Sequence, residues 1–205
     1  MERENSFVTG VHVWIVDLVT GRAEVERALG MLSAAERTRF ERLRVAEKAA
    51  QFAVTRACLR KLLSMCSGRE IYDLKIVVNP HGKPLLLESR WEFNVSHSGR
   101  IAAIAIAQRT RVGIDIEQLE GSDEAALRRW TERESCVKAQ GSALPIAGEV
   151  KDPGWSRCGL RQLPAGYVGT LTAEGSTAVH EWRLPSDVLL TSAPLRLEGT
   201  MQNLP

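Results

Sequence analysis

A chain of 205 residues, 44% hydrophobic and 25% charged, can bury one sizeable core or two small lobes and has the balance of a soluble globular protein. A net charge of +2 is too small to argue for nucleic acid. No apolar stretch reaches the length of a membrane span, and the residues around Arg3 lack the apolar core of a signal peptide. Cys58, Cys66, Cys136 and Cys158 form no CxxC pair and no zinc-like spacing, so disulfides are not expected and a reducing, cytoplasmic location is.

In chain order, residues 11–18 are β-rich and read as a strand. Ser33 with Glu36 three residues on has the form of a capping box, so a helix is expected from Ala34. No proline or glycine interrupts the chain from there to Met65. Phe40, Leu43, Phe52, Leu59 and Leu62 supply an apolar stripe over one or two helices, which Ser67-Gly68 closes. Arg37, Arg39, Arg42 and Arg44 lie within eight residues, a run that more often makes a solvated helix face than a binding surface.

Residues 74–78 and 85–87, joined at Asn79-Pro80-His81-Gly82, read as a hairpin. Phe93-Asn94-Val95-Ser96 leads through His97-Ser98-Gly99 into the apolar strand 101–107, and the turn 108–111 feeds a strand over 112–117. Residues 124–140 look helical, with Trp130 and Val137 expected to face inward. Residues 141–159, with Pro145, Gly148, Pro153 and Gly154, read as loop. Strands at 159–163 and 167–172 follow around Pro164-Ala165-Gly166, and the stretch from Pro185 has little periodicity. Helices and short-turn strands are segregated, so the class is α+β. The strand–helix–strand–strand order occurs twice and divides the chain into halves at 1–108 and 109–184 with a tail at 185–205.

Two short segments carry most of the chemistry. In Val112-Gly113-Ile114-Asp115-Ile116-Glu117, a strand puts Asp115 and Glu117 on one face. In Trp130-x-x-x-Glu134-Ser135-x-x-Lys138, a helix puts Glu134 and Lys138 on one face. Each has a plain alternative, a solvated strand face and an i,i+4 ion pair. The apolar strands before Asp115 argue for burial, and buried carboxylates need counter-charge or metal. Three converging carboxylates suit Mg²⁺, which takes hard oxygen ligands and often phosphate oxygens from a substrate. Ser96-His97-Ser98 could contact a phosphate, as could Lys83 in Gly82-Lys83-Pro84. No P-loop, dinucleotide fingerprint or GxSxG elbow is present.

Read in order, Gly82-Lys83-Pro84, Phe93-Asn94-Val95-Ser96-His97-Ser98, Gly113-Ile114-Asp115-Ile116-Glu117 and Trp130-x-x-x-Glu134-Ser135-x-x-Lys138 resemble the 4′-phosphopantetheinyl transferases of the surfactin-synthetase type, over residues 10–175. The resemblance implies two pseudo-symmetric α+β halves with the active site between them. It implies transfer of phosphopantetheine from coenzyme A to a serine of an acyl or peptidyl carrier protein, by a monomer that uses neither nucleic acid nor membrane. Asp115, Glu117 and Glu134 would hold Mg²⁺. Glu134 would also act as base, and Lys138 would steady the departing 3′,5′-ADP. Lys83, Ser96, His97 and Arg39 would contact the coenzyme, and the arginines at 37–44 could steer an acidic carrier.

Three departures stand out. Arg133 replaces a common lysine, and Gln51 falls where relatives often carry an arginine for the coenzyme's phosphate, with Arg56 or Arg44 as substitutes. Asp115 and Glu134 are only 19 positions apart, where relatives insert a longer segment. A relative that binds coenzyme A or carrier without transfer, and an unrelated Mg²⁺-dependent phosphate-ester hydrolase, are the competing readings.

Overall fold

Alternation in the first strand sets the architecture. β1 (Val11–Asp17) turns Val11, Val13 and Ile15 to one side and Trp14 and Val16 to the other, and all five are buried. A strand buried on both faces needs a layer on each side.

The elements that follow are α1 (Arg22–Met31), α2 (Ala34–Arg42), α3 (Ala46–Ser67), β2 (Ile76–Val78), β3 (Pro84–Leu86), β4 (Trp91–Ser98), β5 (Ile101–Gln108), β6 (Val112–Gln118) and α4 (Glu124–Gln140). Then come β7 (Ser156–Gly159), β8 (Tyr167–Ala173), β9 (Ala178–Pro185), α5 (Ser186–Leu189) and β10 (Gly199–Asn203). This computed structural model describes residues 10–141, 153–191 and 199–203. The expected loop at Pro145 and Gly148, and most of the stretch after Thr191, lie outside the described residues. The class is α+β, as the sequence indicated.

The larger sheet has the order β10-β9-β1-β5-β4, a smaller one β6-β8-β7, and β2 pairs with β3. On one face of the larger sheet Trp14, Phe93, Ile104 and Ile106 pack on Val54, Ala57, Leu59 and Leu62 of α3. On the other, Val13, Ile15, Ala103 and Ala105 share a core with Ile114, Ile116 and Leu171 of the smaller sheet. The strands 178–185 and 199–203 belong to the first half's sheet, because β9 lies parallel to β1 with Val11 opposite Val179. Both ends of the sequence thus build one sheet.

The capping box at α2 is complete: Glu36 N donates to Ser33 Oγ at 3.3 Å and Ser33 N to Glu36 Oε2 at 2.9 Å. The same carboxylate accepts from buried Arg60 Nε at 2.6 Å, tying α2 to α3. The uninterrupted run from Ala34 therefore becomes two helices, broken at 43–45, so that α2 can fold back onto α3.

β6 lies across β4 and is held by side chains rather than by a backbone ladder. Ile114 N donates to Asn94 Oδ1 (2.9 Å), Ile116 N to Ser96 Oγ (3.3 Å) and Gln118 N to Ser98 Oγ (3.1 Å). Alternate residues of β4 meet alternate amides of β6, as two pleated strands require. On its far face β6 meets α4 at backbone distance. A Cβ on Gly113 would lie 2.0 Å from Ser135 O and 2.3 Å from Ala139 N, so only glycine fits. Hydroxyl pairs Thr131–Thr170 (2.9 Å) and Ser135–Thr172 (2.8 Å) fix the same helix to β8.

Two local expectations change. Val137 is buried but Trp130 is 45% exposed, although seven residues put both on one helical face. The first two turns of α4 overhang the sheet, and from 124 to 130 only Leu127 is partly covered. The strand expected at 159–163 ends where it was to begin: β7 is Ser156–Gly159. Beyond it Arg161 N (2.8 Å) and Gln162 N (3.1 Å) donate to the buried Glu181 carboxylate instead of a neighbouring strand. Helix α1 and the carboxylate role of Glu181 have no local sequence signal: α1 lacks a side-chain cap, and the Glu181 contacts are about 20 positions away.

Candidate active site

The strand face of β6 and the helix face of α4 meet at Asp115 and Lys138. Asp115, 3% exposed, accepts from Ser96 Oγ at 2.9 Å and from Lys138 Nζ at 2.5 Å, both at Oδ1. Its Oδ2 is buried without a hydrogen-bond partner. Glu117 Oε2 accepts from Ser98 Oγ at 3.1 Å. Ser96 and Ser98 therefore do two jobs, accepting β6 amides and donating to its carboxylates. Lys138 Nζ also reaches Ser96 Oγ at 3.4 Å.

Glu134, one turn before Lys138, completes the group. Burial pushes its carboxyl above the usual range; Lys138 pulls it back, and the Asp115 and Glu117 charges add to the rise. Asp115, Glu117, Glu134 and Lys138 are thus electrostatic neighbours. Among the described residues, no three His, Cys, Asp or Glu side chains are disposed to hold a metal, and the cation on Asp115 is the Lys138 ammonium. By chemistry alone, hard carboxylate oxygens with Asp115 Oδ2 unpartnered are the donor type that a small divalent cation takes.

Beside this cluster runs a groove between α2, α3, the β2–β3 turn and β4. Arg39, Phe52, Thr55, Arg56, Pro84 and His97 line it, and Lys48 and Gln51 line an adjoining pocket that shares Arg39, Phe52 and His97. The Arg39 and Arg56 guanidinium carbons lie 5.1 and 5.8 Å from the Phe52 ring centroid. Arg56 Nη1 and Thr55 Oγ1 are buried without hydrogen-bond partners. Two unspent donors beside Arg39 and His97 describe an anion pocket. Partial burial, then the Lys138 and Lys48 charges, hold His97 below its usual value.

Gln51 donates to Gly99 O at 3.1 Å, while Arg56 lines the groove and Arg44 lies exposed on the stretch before α3. Lys83 Nζ donates to Val112 O (3.2 Å) and to Lys138 O (2.7 Å). Nothing in the sequence marks Phe52 and Thr55 as groove residues, because a half-apolar helical stripe gives no sign that one of its rings faces a cavity.

Residues 20–109 match the family model described as 4′-phosphopantetheinyl transferase, N-terminal. Over 172 residues the chain is 26% identical to 4′-phosphopantetheinyl transferase HetI of Nostoc sp. (strain PCC 7120), covering 69% of this chain and 73% of that protein. Both matches support the 4′-phosphopantetheinyl transferase family. The first spans α1 to β5, the groove side, and ends three residues before β6 and the carboxylates. No helix among the described residues is long and apolar enough to cross a membrane.

Proposed function

We propose that the protein is a surfactin-synthetase-type phosphopantetheinyl transferase that moves the phosphopantetheine arm of coenzyme A to a serine of an acyl or peptidyl carrier protein. The observation that carries this is the junction of an anion groove, with unspent Arg56 and Thr55 donors, and a carboxylate cluster containing an unspent Asp115 oxygen. The groove takes the nucleotide end of the coenzyme on Arg39, Arg56 and His97. Ser96 orients Asp115, and Ser98 orients Glu117.

In the reaction the carrier serine oxygen bonds to the phosphorus that bears the pantetheine, and the bond from that phosphorus to 3′,5′-ADP breaks. The serine proton goes to Glu134, directly or through one water, and Lys138 offsets charge on the departing phosphate. Asp115, Glu117 and Glu134 would hold Mg²⁺, which when bound neutralises pyrophosphate charge. The protein would act as a cytoplasmic monomer, its two halves meeting at the site.

A second reading, binding without transfer, is favoured by the short 119–123 connection before α4 and by the ammonium on Asp115. Incubation with coenzyme A, Mg²⁺ and purified apo carrier, read by intact mass of the carrier, separates the two. A phosphopantetheine-sized gain that EDTA prevents supports transfer. No gain on several carriers, with coenzyme A still bound, supports the second reading.

Arg56→Gln should raise the KM for coenzyme A about tenfold, the loss of one charge-assisted hydrogen bond. The same variant should leave the KM for dephospho-coenzyme A within about twofold, since the missing 3′-phosphate is what Arg56 would hold. Equal losses on both substrates would place Arg56 elsewhere on the nucleotide.

A further inference from the structure

The β2–β3 turn touches both parts of the site. Gly82 and Pro84 line the groove. The residues between and before them grip the C-terminal end of α4. Asn79 Nδ2 donates to Gly141 O at 3.2 Å, and Lys83 Nζ donates to Lys138 O at 2.7 Å and to Val112 O at 3.2 Å. Asn79 Oδ1 in turn accepts from His81 N and Lys83 N, both at 2.9 Å, which fixes the turn that carries the lysine. The lysine tail passes 3.9 Å from where a Cβ on Gly141 would stand.

The last four carbonyls of a helix lack partners within it and carry its partial negative charge. Lys138 O accepts from the capping Gly141 N at 3.2 Å and offers its second lone pair to the half-buried Lys83 ammonium, which bridges it to the first carbonyl of β6. That ammonium joins the two elements that carry Asp115 and Lys138. Its hydrogen bonds go to backbone, and none of those described goes to another side chain.

We infer that Lys83 is a positioning residue: it clamps the end of α4 onto β6, sets Lys138 and Glu134 over Asp115, and contacts no phosphate of the substrate. This rests on the transferase reading for its kinetic consequence but not for the clamp itself. Lys83→Met should keep coenzyme A affinity within about twofold by calorimetry and lower kcat tenfold or more with KM little changed. Hydrogen exchange in peptides covering 134–141 should quicken at least fivefold in the same variant. Asn79→Ala, which removes the second grip, should quicken the same peptides, and Lys83→Arg should restore part of both losses.

Unchanged exchange in Lys83→Met overturns the clamp. A tenfold or larger loss of coenzyme affinity, whatever the exchange, makes Lys83 a ligand contact and overturns it as well. If the wild-type protein transfers nothing, the exchange measurement still decides the clamp, and the transferase reading fails separately.

Discussion

Glu134→Gln should lower transfer by about 10²–10⁴-fold, the usual worth of a positioned base, with the melting midpoint within about 3 °C of wild type. The side chain is only half-buried and α4 is anchored by other residues, so its loss should not unfold the protein. Those anchors are Thr131, Ser135 and the glycine contact below. The variant keeps the shape and one carboxamide oxygen while losing charge and basicity, so the proposed proton and cation roles should fail together. Calorimetric binding of coenzyme A should survive, because the groove residues lie on α2, α3 and β4. Transfer at the wild-type rate would remove Glu134 from both roles.

Gly113→Ala should be the most damaging glycine-to-alanine change among the described residues. Its Cβ would enter the backbone of α4, 2.0 Å from one carbonyl oxygen and 2.3 Å from one amide nitrogen, and neither can rotate away. Overpacking of this kind costs about 3 kcal/mol, a fall of about 6–12 °C in Tm for a chain this size. The helix that relieves the clash carries Glu134 and Lys138, so activity should fall further than stability alone explains. Gly30→Ala is the control: nothing lies within 4 Å of its Cβ inside α1, and it should be neutral or stabilising by up to about 1 kcal/mol. Equal melting of the Gly113→Ala and wild-type proteins would mean that α4 does not ride on β6 at this distance.

Legibility followed sequence separation. Asp115 and Glu117, two apart on a strand, and Glu134 and Lys138, four apart on a helix, are local periodicities, and each pair lands on the face expected. The Ser33–Glu36 box is equally local and is complete. What the sequence hides is longer in reach. Ser96 and Ser98 flank a histidine as phosphate contacts would, yet both are acceptors for β6 amides 20 positions away. Nothing local says that a serine will stand in for a carbonyl. Trp130 fails for a related reason: helical spacing names a face, but where the sheet beneath ends depends on β6 and β8. The return of β9 to β1 joins residues 168 positions apart, beyond any pattern of turns.

That return also orders the birth of the molecule. β1 can pair with β5 once residue 108 has left the ribosome, but its other edge stays bare until 178–185 follows. At ordinary synthesis rates the wait is about 4–15 s. For that time an apolar strand, Val-His-Val-Trp-Ile-Val, offers unpaired amides and carbonyls to any neighbouring chain. The vulnerability is confined to the nascent state, where crowded polysomes and chaperones decide its outcome. A late strand protects the earliest one.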